Sequence, residues 1–143
     1  MRQASQMSSE QSSRRIVIVD DDKSVQTALQ DLIESEGLST LCFGSAEEFL
    51  NSGTQDEAGC LIADIRMPGM SGIELQAKLK ADRCRIPIVF ITAHGDAKMR
   101  IQAMRDGAVE FLTKPFDNAV LLETVYAAVE DYAKTSRLRN SNQ

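Results

Sequence analysis

The chain has 143 residues, with 16 Lys and Arg against 21 Asp and Glu, and its net charge is −5. Apolar residues make up 43% and charged residues 26%, which is typical of globular proteins and excludes collagen-like, disordered and disulfide-scaffold classes. The negative charge also argues against nucleic acid as a ligand of this domain, because phosphate contacts require clustered Lys and Arg.

Both termini are predicted to lie outside the folded domain. Residues 1–13 form a Ser- and Gln-rich lead that we expect to be disordered, and residues 134–143 form a polar tail or linker. A single domain over residues 14–133 remains. The lead lacks the apolar segment of a signal peptide, and no apolar run is long enough to span a membrane. The cysteines have no CxxC spacing and are predicted to be free thiols of a cytoplasmic protein: Cys42, Cys60 and Cys84.

Five short β-branched runs alternate with helical patterns in this domain. The first run, Ile16–Val19, is continuously apolar, which is typical of a strand that is covered on both faces. The helical pattern after it is predicted to end at Gly37. The predicted strands span residues 16–19, 38–43, 60–63, 88–91 and 109–113.

Cap signals mark several of the helices between these strands. Ser45 and Ser71 each precede a Glu by three residues, the pattern of a capping box. A helix over residues 97–106 is predicted to stop at Gly107, and Asp117 is predicted to cap the last helix. Because parallel strands require long crossovers, this alternation predicts an α/β fold with a doubly wound, five-stranded parallel sheet in a three-layer αβα arrangement.

Polar residues follow the predicted strands where each apolar run stops. In a parallel sheet these positions all lie at the carboxyl edge, which is where doubly wound sheets bind their ligands. Carboxylates, a hydroxyl and an ammonium group are therefore expected to meet in one cleft. The residues concerned are Asp20, Asp21, Asp22, Asp64, Thr92 and Lys114.

The carboxylates in this predicted cleft require positive charge. Two carboxylates about 4 Å apart repel each other by roughly 4 kcal/mol at an effective dielectric constant of about 20. Lys114 supplies one charge, and a hard divalent cation with oxygen ligands would supply the rest, which favours Mg²⁺. Asp64 stands alone after the middle strand, and we expect it to act as a nucleophile toward a phosphoryl group.

Four segments carry a resemblance to a known family. They read VDDD over residues 19–22, ADIRMPGMSG over 63–72, ITAHG over 91–95 and FLTKPF over 111–116. In this order and spacing they resemble the receiver domain of two-component response regulators, over residues 15–133. The motifs are most similar to those of the nitrogen-fixation regulator subgroup, which usually carries a DNA-binding output domain that has no counterpart in this sequence. The resemblance also implies the flavodoxin-like strand order 2-1-3-4-5.

The resemblance assigns the metal site and the phosphoacceptor. Asp64 matches the residue that is phosphorylated. Asp21, Asp64 and the main-chain carbonyl of Arg66 match metal ligands, and Asp20 matches a carboxylate that often acts on the metal through water. The implied ion is Mg²⁺, for which Mn²⁺ is a substitute.

The resemblance also assigns a switch. Thr92 and Lys114 match the groups that bind phosphoryl oxygens, and Phe111 matches the aromatic residue that reorients together with Thr92. The Lys114–Pro115 bond matches a cis peptide bond of the family. Three further positions match sites that stay small or that tune dephosphorylation: Ala93, Arg66 and His94.

The function that the resemblance implies is a phosphorylation-dependent signalling switch. The domain is not an enzyme with external substrates, since it catalyses only its own phosphorylation and dephosphorylation. Its expected partners are a sensor histidine kinase and, after phosphorylation, a second copy of the chain or another protein. Neither a nucleic acid nor a membrane is an expected partner of this domain, and its expected output is the regulation of transcription.

Two other functions remain open from the sequence. A phosphatase resembling the haloacid dehalogenases would use Asp20 as the nucleophile and Asp22 as the acid and base, but the motif around Asp64 then has no explanation. A pure interaction module would usually have lost a key acid or the lysine, and neither is missing. For Asp22 alone, a helix N-cap and a metal role are equally open, and His94 is also compatible with an exposed loop.

Overall fold

The computed structural model describes residues 14–93 and 96–141, with side chains up to Lys134. Strands and helices alternate along the described chain, and a single 3₁₀ turn, Gln55–Glu57, precedes the third strand. The elements are β1 (Arg15–Val19), α1 (Lys23–Glu34), β2 (Thr40–Phe43), α2 (Ala46–Ser52), β3 (Ala58–Ala63), α3 (Gly72–Ala81), β4 (Ile88–Thr92), α4 (Ala97–Arg105), β5 (Glu110–Thr113) and α5 (Asn118–Ser141).

The five strands form one parallel sheet in the order β2-β1-β3-β4-β5. The register pairs Val19 with Ala63 across the central strands, and it pairs Thr92 with Thr113 at the far edge. The prediction of a doubly wound α/β fold with this strand order is confirmed. As a result, the carboxyl ends of all five strands lie along one edge of the sheet.

Two apolar cores lie on opposite faces of the sheet, because successive strand residues point to opposite sides. On one face Val17, Leu61 and Phe90 pack with α2, α3 and α4. On the other face Ile18 and Ile62 pack with α1 and α5. Every residue of β3 and β4 is buried, which explains why the two strands are apolar as far as Thr92 and confirms the three-layer arrangement.

The ends of the elements differ from the prediction in a few places. β2 begins at Thr40 and β5 at Glu110, later than predicted. The Ser71 capping box is present, whereas the predicted box at Ser45 is only half formed. Ser45 does accept the N–H of the third helical residue, but the Glu48 carboxylate accepts its hydrogen bond from the N–H of Gly44.

The last helix is longer than the sequence led us to expect. α5 continues to Ser141, so the backbone of residues 134–141 is helical although we predicted a polar tail there. This stretch contains Leu, Arg, Lys and Ser but neither Gly nor Pro, so it holds no helix breaker.

Within the described part of the chain, no helix combines the length and apolar character needed to cross a membrane. Residues 1–13 and 142–143 lie outside the described residues.

Candidate functional site

Backbone hydrogen bonds place two aspartates side by side at the carboxyl edge of the sheet. Asp20 follows β1, and its N–H donates to the Phe43 carbonyl at 3.1 Å. Asp64 follows β3, and its N–H donates to the Val19 carbonyl at 3.0 Å. The ladder of the sheet therefore continues through both residues and holds their side chains at adjacent strand ends. Asp20 is 2% exposed and Asp64 is 8% exposed.

Lys114 bridges the two carboxylates. Its Nζ donates to Asp20 Oδ2 at 3.1 Å and to Asp64 Oδ2 at 3.0 Å. The lysine reaches across from the end of β5, where its N–H donates to the Thr92 carbonyl at 2.9 Å. The Lys114–Pro115 peptide bond is cis, as predicted.

Burial and neighbouring opposite charges shift the pKa values in this cluster in opposite directions. Burial raises the pKa of the Asp20 carboxyl, and the N–H of Asp22 and the Lys114 ammonium offset only part of that effect. Burial also opposes the charge of Lys114, but its hydrogen bonds to Asp64 and Asp20 outweigh burial and raise the pKa of the lysine. The lysine is therefore a permanent cation at neutral pH.

A third carboxylate completes a donor set for a cation. Oxygen atoms of Asp20, Asp21 and Asp64 all lie within 4.8 Å of one another. Asp21 is exposed, so this side of the cluster opens to solvent. Three carboxylates facing one lysine carry excess negative charge, and a set of hard oxygen ligands suits Mg²⁺ better than a metal that prefers nitrogen or sulfur. The residues present thus fit the predicted ion.

The loop after Asp64 is held by close backbone contacts. Asp64 Oδ1 accepts the N–H of Arg66 at 3.2 Å, and the N–H of Gly72 donates to the Ile65 carbonyl at 2.8 Å. A Cβ at Gly72 would overlap the Asp64 carbonyl oxygen, so only glycine fits there. The Arg66 side chain is exposed. This packing determines where the main chain of Arg66, a predicted metal ligand, lies relative to the Asp64 carboxylate.

Asp22 does not join the cluster. Its Oδ1 accepts the N–H of Ser24 at 2.9 Å and the Ser24 hydroxyl at 2.7 Å, which makes it the N-cap of α1. The same hydrogen bonds lower the pKa of the Asp22 carboxyl. Of the two interpretations that the sequence left open for Asp22, the N-cap is confirmed.

The two predicted switch residues are buried on neighbouring strands, where Thr92 is the last residue of β4 and Phe111 is the second residue of β5. Thr92 is 1% exposed, and Phe111 is 3% exposed. The Phe111 ring lies 6.5 Å from the Phe90 ring, centroid to centroid. Arg100 from α4 also contacts Phe111, with its guanidinium carbon 5.8 Å from the ring centroid and its Nη1 donating to the Phe111 carbonyl at 3.0 Å. Ala93 follows β4 and is exposed, whereas His94 lies outside the described residues.

Comparison with known proteins identifies the family. Residues 16–126 match the response regulator receiver domain. The chain belongs to this family. Nodulation protein W of Bradyrhizobium diazoefficiens is 47% identical over 122 residues, a match that covers 85% of this chain and 54% of the relative. The transcriptional regulatory protein FixJ of Azorhizobium caulinodans is 39% identical over 120 residues, with 84% and 57% covered.

Solved receiver structures agree with the fold. The response regulator StyR superposes with a TM-score of 0.85 at 44% identity, over 91% of this chain and 66% of the StyR chain. The chain spans about half the length of the two sequence relatives. Their names are consistent with the nitrogen-fixation subgroup that the motifs indicate. Both the family and the subgroup resemblance predicted from the sequence are confirmed.

Two residues that shape the site of this receiver domain were not predicted from the sequence. Gln26 is 6% exposed, and its Nε2 donates to the Asp20 carbonyl at 2.6 Å. It falls on the buried stripe of α1 with Leu29 and Ile33, so a polar residue at an inward helical position was the available signal. Glu47 accepts the N–H of Met70 at 2.9 Å, and no local pattern announces this contact because the residues are 23 positions apart.

Proposed function

We propose that this receiver domain is a signalling switch that accepts a phosphoryl group on Asp64 from a sensor histidine kinase. The observation that carries the proposal is the position of the Asp64 carboxylate, which lies beside Asp20 and Asp21 and within hydrogen-bond distance of Lys114. Phosphoryl transfer depends mainly on positioning and on charge neutralisation, and this cluster offers both.

Mg²⁺, or Mn²⁺ as its substitute, is the cofactor that we propose for the transfer. Asp21, Asp64 and the main-chain carbonyl of Arg66 would be its ligands, with Asp20 acting directly or through water. When bound, the ion neutralises charge that develops on the phosphoryl oxygens. The fit rests on the three carboxylates, whose oxygens lie within 4.8 Å of one another.

The transfer is a displacement at phosphorus. A carboxylate oxygen of Asp64 forms the new O–P bond while the P–N bond to the donor histidine breaks, and the nitrogen keeps the bonding electron pair. Lys114 now holds Asp64 Oδ2, so it would exchange that carboxylate oxygen for a phosphoryl oxygen. Thr92 would bind another phosphoryl oxygen. Attack by water on phosphorus would later restore the carboxylate and release inorganic phosphate.

The output of the switch is a changed protein surface. Thr92 and Phe111 would reorient together and alter the face that meets a second copy of the chain or another partner. FixJ is named as a transcriptional regulatory protein, and this chain spans about half of it, so we propose that transcription is regulated through an output domain. The three free cysteines suit a reducing compartment such as the cytoplasm.

The phosphatase alternative loses support from the position of Asp22. That mechanism needs Asp22 as an acid and base beside Asp20, but the Asp22 carboxylate caps α1 through Ser24 instead. The receiver function also gives a role to the loop motif around Asp64, which a phosphatase with Asp20 as the nucleophile leaves unexplained.

Intact mass after incubation with acetyl phosphate and Mg²⁺ tests the proposal. We expect one phosphoryl adduct on the wild type and none on Asp64→Asn, since the amide is not a nucleophile. Asp20→Asn is the matched control, because it removes a neighbouring carboxylate but leaves Asp64 and should still give an adduct more slowly. An adduct on Asp64→Asn together with none on Asp20→Asn would instead establish Asp20 as the nucleophile.

A further inference from the structure

A groove lies at the edge of the sheet opposite to Asp64. It encloses about 590 Å³ between the ends of α3 and α4 and the segment that leads into β4. Leu79, Ile86 and Pro87 are among the apolar residues that line it. Because β4 begins at Ile88, this is the amino-terminal edge, which the phosphoryl site does not use.

Four exposed cations surround this apolar floor. None of them forms an ion pair with another residue in the part of the chain whose side chains are described. Only two acids, Asp106 and Asp131, line the same groove. Four cations against two acids give the lining of this groove a local charge of +2 in a chain whose net charge is −5. The cations are Lys80, Arg83, Arg85 and Arg105.

The backbone conformation at position 83 is one that favours glycine, but the residue there is arginine. α3 ends in a Schellman motif, in which the N–H of Arg83 donates to the Lys80 carbonyl and the N–H of Cys84 donates to the Leu79 carbonyl. Arg83 has a φ of 60°, which favours glycine. α4 ends in the same motif, and Gly107 occupies the equivalent position with a φ of 104°.

The ends of α3 and α4 line the same groove, yet only α4 has glycine at the left-handed position. A left-handed residue with a side chain is less stable than glycine at such a position, so local folding alone does not favour Arg83. Sites where a local rule is broken without a folding benefit are often functional. Arg83 and Arg85 also line a second, adjoining cavity of about 390 Å³, which holds the acidic residues Asp56 and Asp82, so the excess of cations is confined to the first groove.

We propose that this groove binds an acidic amphipathic segment of a partner protein. The cationic rim complements carboxylates, and the floor of Leu79, Ile86 and Pro87 accepts apolar side chains from the same segment. A nucleic acid fits less well, because the apolar floor offers nothing to a phosphate backbone.

Nuclear magnetic resonance titration with a defined peptide tests the groove. The probe is an amphipathic peptide of glutamate and leucine, and a lysine and leucine peptide of the same pattern is the charge control. We expect the acidic peptide to shift backbone amides at Leu79, Cys84 and Val109. Arg83→Gly should weaken its binding about tenfold, because charge-assisted hydrogen bonds are lost. Lys98→Gln, which removes an exposed cation outside the groove, should leave the affinity unchanged.

The melting temperature separates lost binding from lost folding. Glycine suits the left-handed conformation, so Arg83→Gly should melt no lower than the wild type. The proposal is overturned if the acidic peptide does not bind, if Arg83→Gly binds it as tightly as the wild type, or if the lysine peptide binds equally well. Tighter binding of a labelled DNA duplex than of the acidic peptide would also overturn it.

Discussion

Lys114 holds together two carboxylates that would otherwise repel each other. Its Nζ lies 3.1 Å from Asp20 and 3.0 Å from Asp64, and its side chain is 19% exposed. A cation in this position stabilises the folded protein, and in the proposed function it would also bind a phosphoryl oxygen. Removal of this one residue should therefore affect both stability and the proposed switch.

Lys114→Ala should lower the free energy of unfolding by about 1–3 kcal/mol without Mg²⁺, because the Asp20 carboxylate loses its partner while remaining buried. Added Mg²⁺ should raise the melting temperature of the variant by more than it raises that of the wild type, since the ion then has more repulsion to relieve. Thermal melts with and without Mg²⁺ measure both effects.

Lys98→Ala is the matched control for this charge removal. Lys98 is exposed on α4, and its loss should change stability by no more than about 0.5 kcal/mol. Equal Mg²⁺-induced shifts in the wild type and in Lys114→Ala would show that the lysine does not balance the carboxylates. The phosphoryl adduct should still form on Lys114→Ala, but any phosphorylation-dependent change in dimerisation should be lost.

The link between β3 and α3 is the element that carries the Asp64 site. Gly72 opens α3, and it packs so closely on the Asp64 carbonyl that no side chain fits. We expect Gly72→Ala to reduce stability by about 1–3 kcal/mol, because the added methyl group must displace the backbone that follows Asp64. The rate of phosphorylation by acetyl phosphate should fall as well. Urea denaturation and intact mass give the two measurements.

Gly44→Ala provides the comparison in another loop of the same sheet edge. A Cβ at Gly44 would lie 3.7 Å from the nearest atom, a carboxylate oxygen of Glu48, which is ordinary contact. This variant should unfold at nearly the wild-type urea concentration. If both alanine variants behave alike, the close contact at Gly72 has no special role in the site.

The strands and the polar residues at their carboxyl ends were predictable, because the local sequence signals agree with the fold. β1, β3 and β4 are continuous apolar runs that stop at Asp20, Asp64 and Thr92, so the run and its end both appear in the sequence. Asp64 and Lys114 could be placed at one edge from the parallel topology alone. Their direct contact could not, because it depends on how far the lysine extends across β4.

Other features were not predictable because they depend on distant partners. The contact of Glu47 with Met70 joins α2 to the loop after β3, and neither residue shows a pattern that announces it. α5 passes beyond the buried residue Ala133, and its backbone stays helical as far as Ser141. The polar composition there indicated a tail, but it contains good helix-forming residues and no breaker.

At the scale of the whole molecule, one thiol lies at the centre of the sheet. Cys60 is fully buried on β3, and burial raises its pKa to about 12. A Cys42→Ser, Cys84→Ser variant would keep Cys60 as its single thiol. We expect a thiol reagent at neutral pH to label it only as fast as the protein unfolds globally, since the thiolate and access are both missing in the folded state.

A variant that retains only Cys42 is the control for this labelling. Cys42 is half-buried near the edge of the sheet, so its thiol should react in the folded protein and much faster than Cys60. Urea should accelerate the labelling of Cys60 in parallel with unfolding followed by circular dichroism. Rapid labelling of Cys60 without denaturant would mean that β3 opens locally.

The parallel sheet also divides the loops into two sets with different freedom to change length. At the carboxyl edge, an inserted residue would shift a polar atom of the site, such as the Asp20 carboxylate or the Lys114 ammonium. At the amino edge, doubling a loop costs only about 0.6 kcal/mol of closure entropy. Among proteins that share the cluster of Asp20, Asp64 and Lys114, gaps in aligned sequences should therefore gather at the edge that holds Arg83, where the proposed partner contacts can diverge while the carboxylate cluster stays the same.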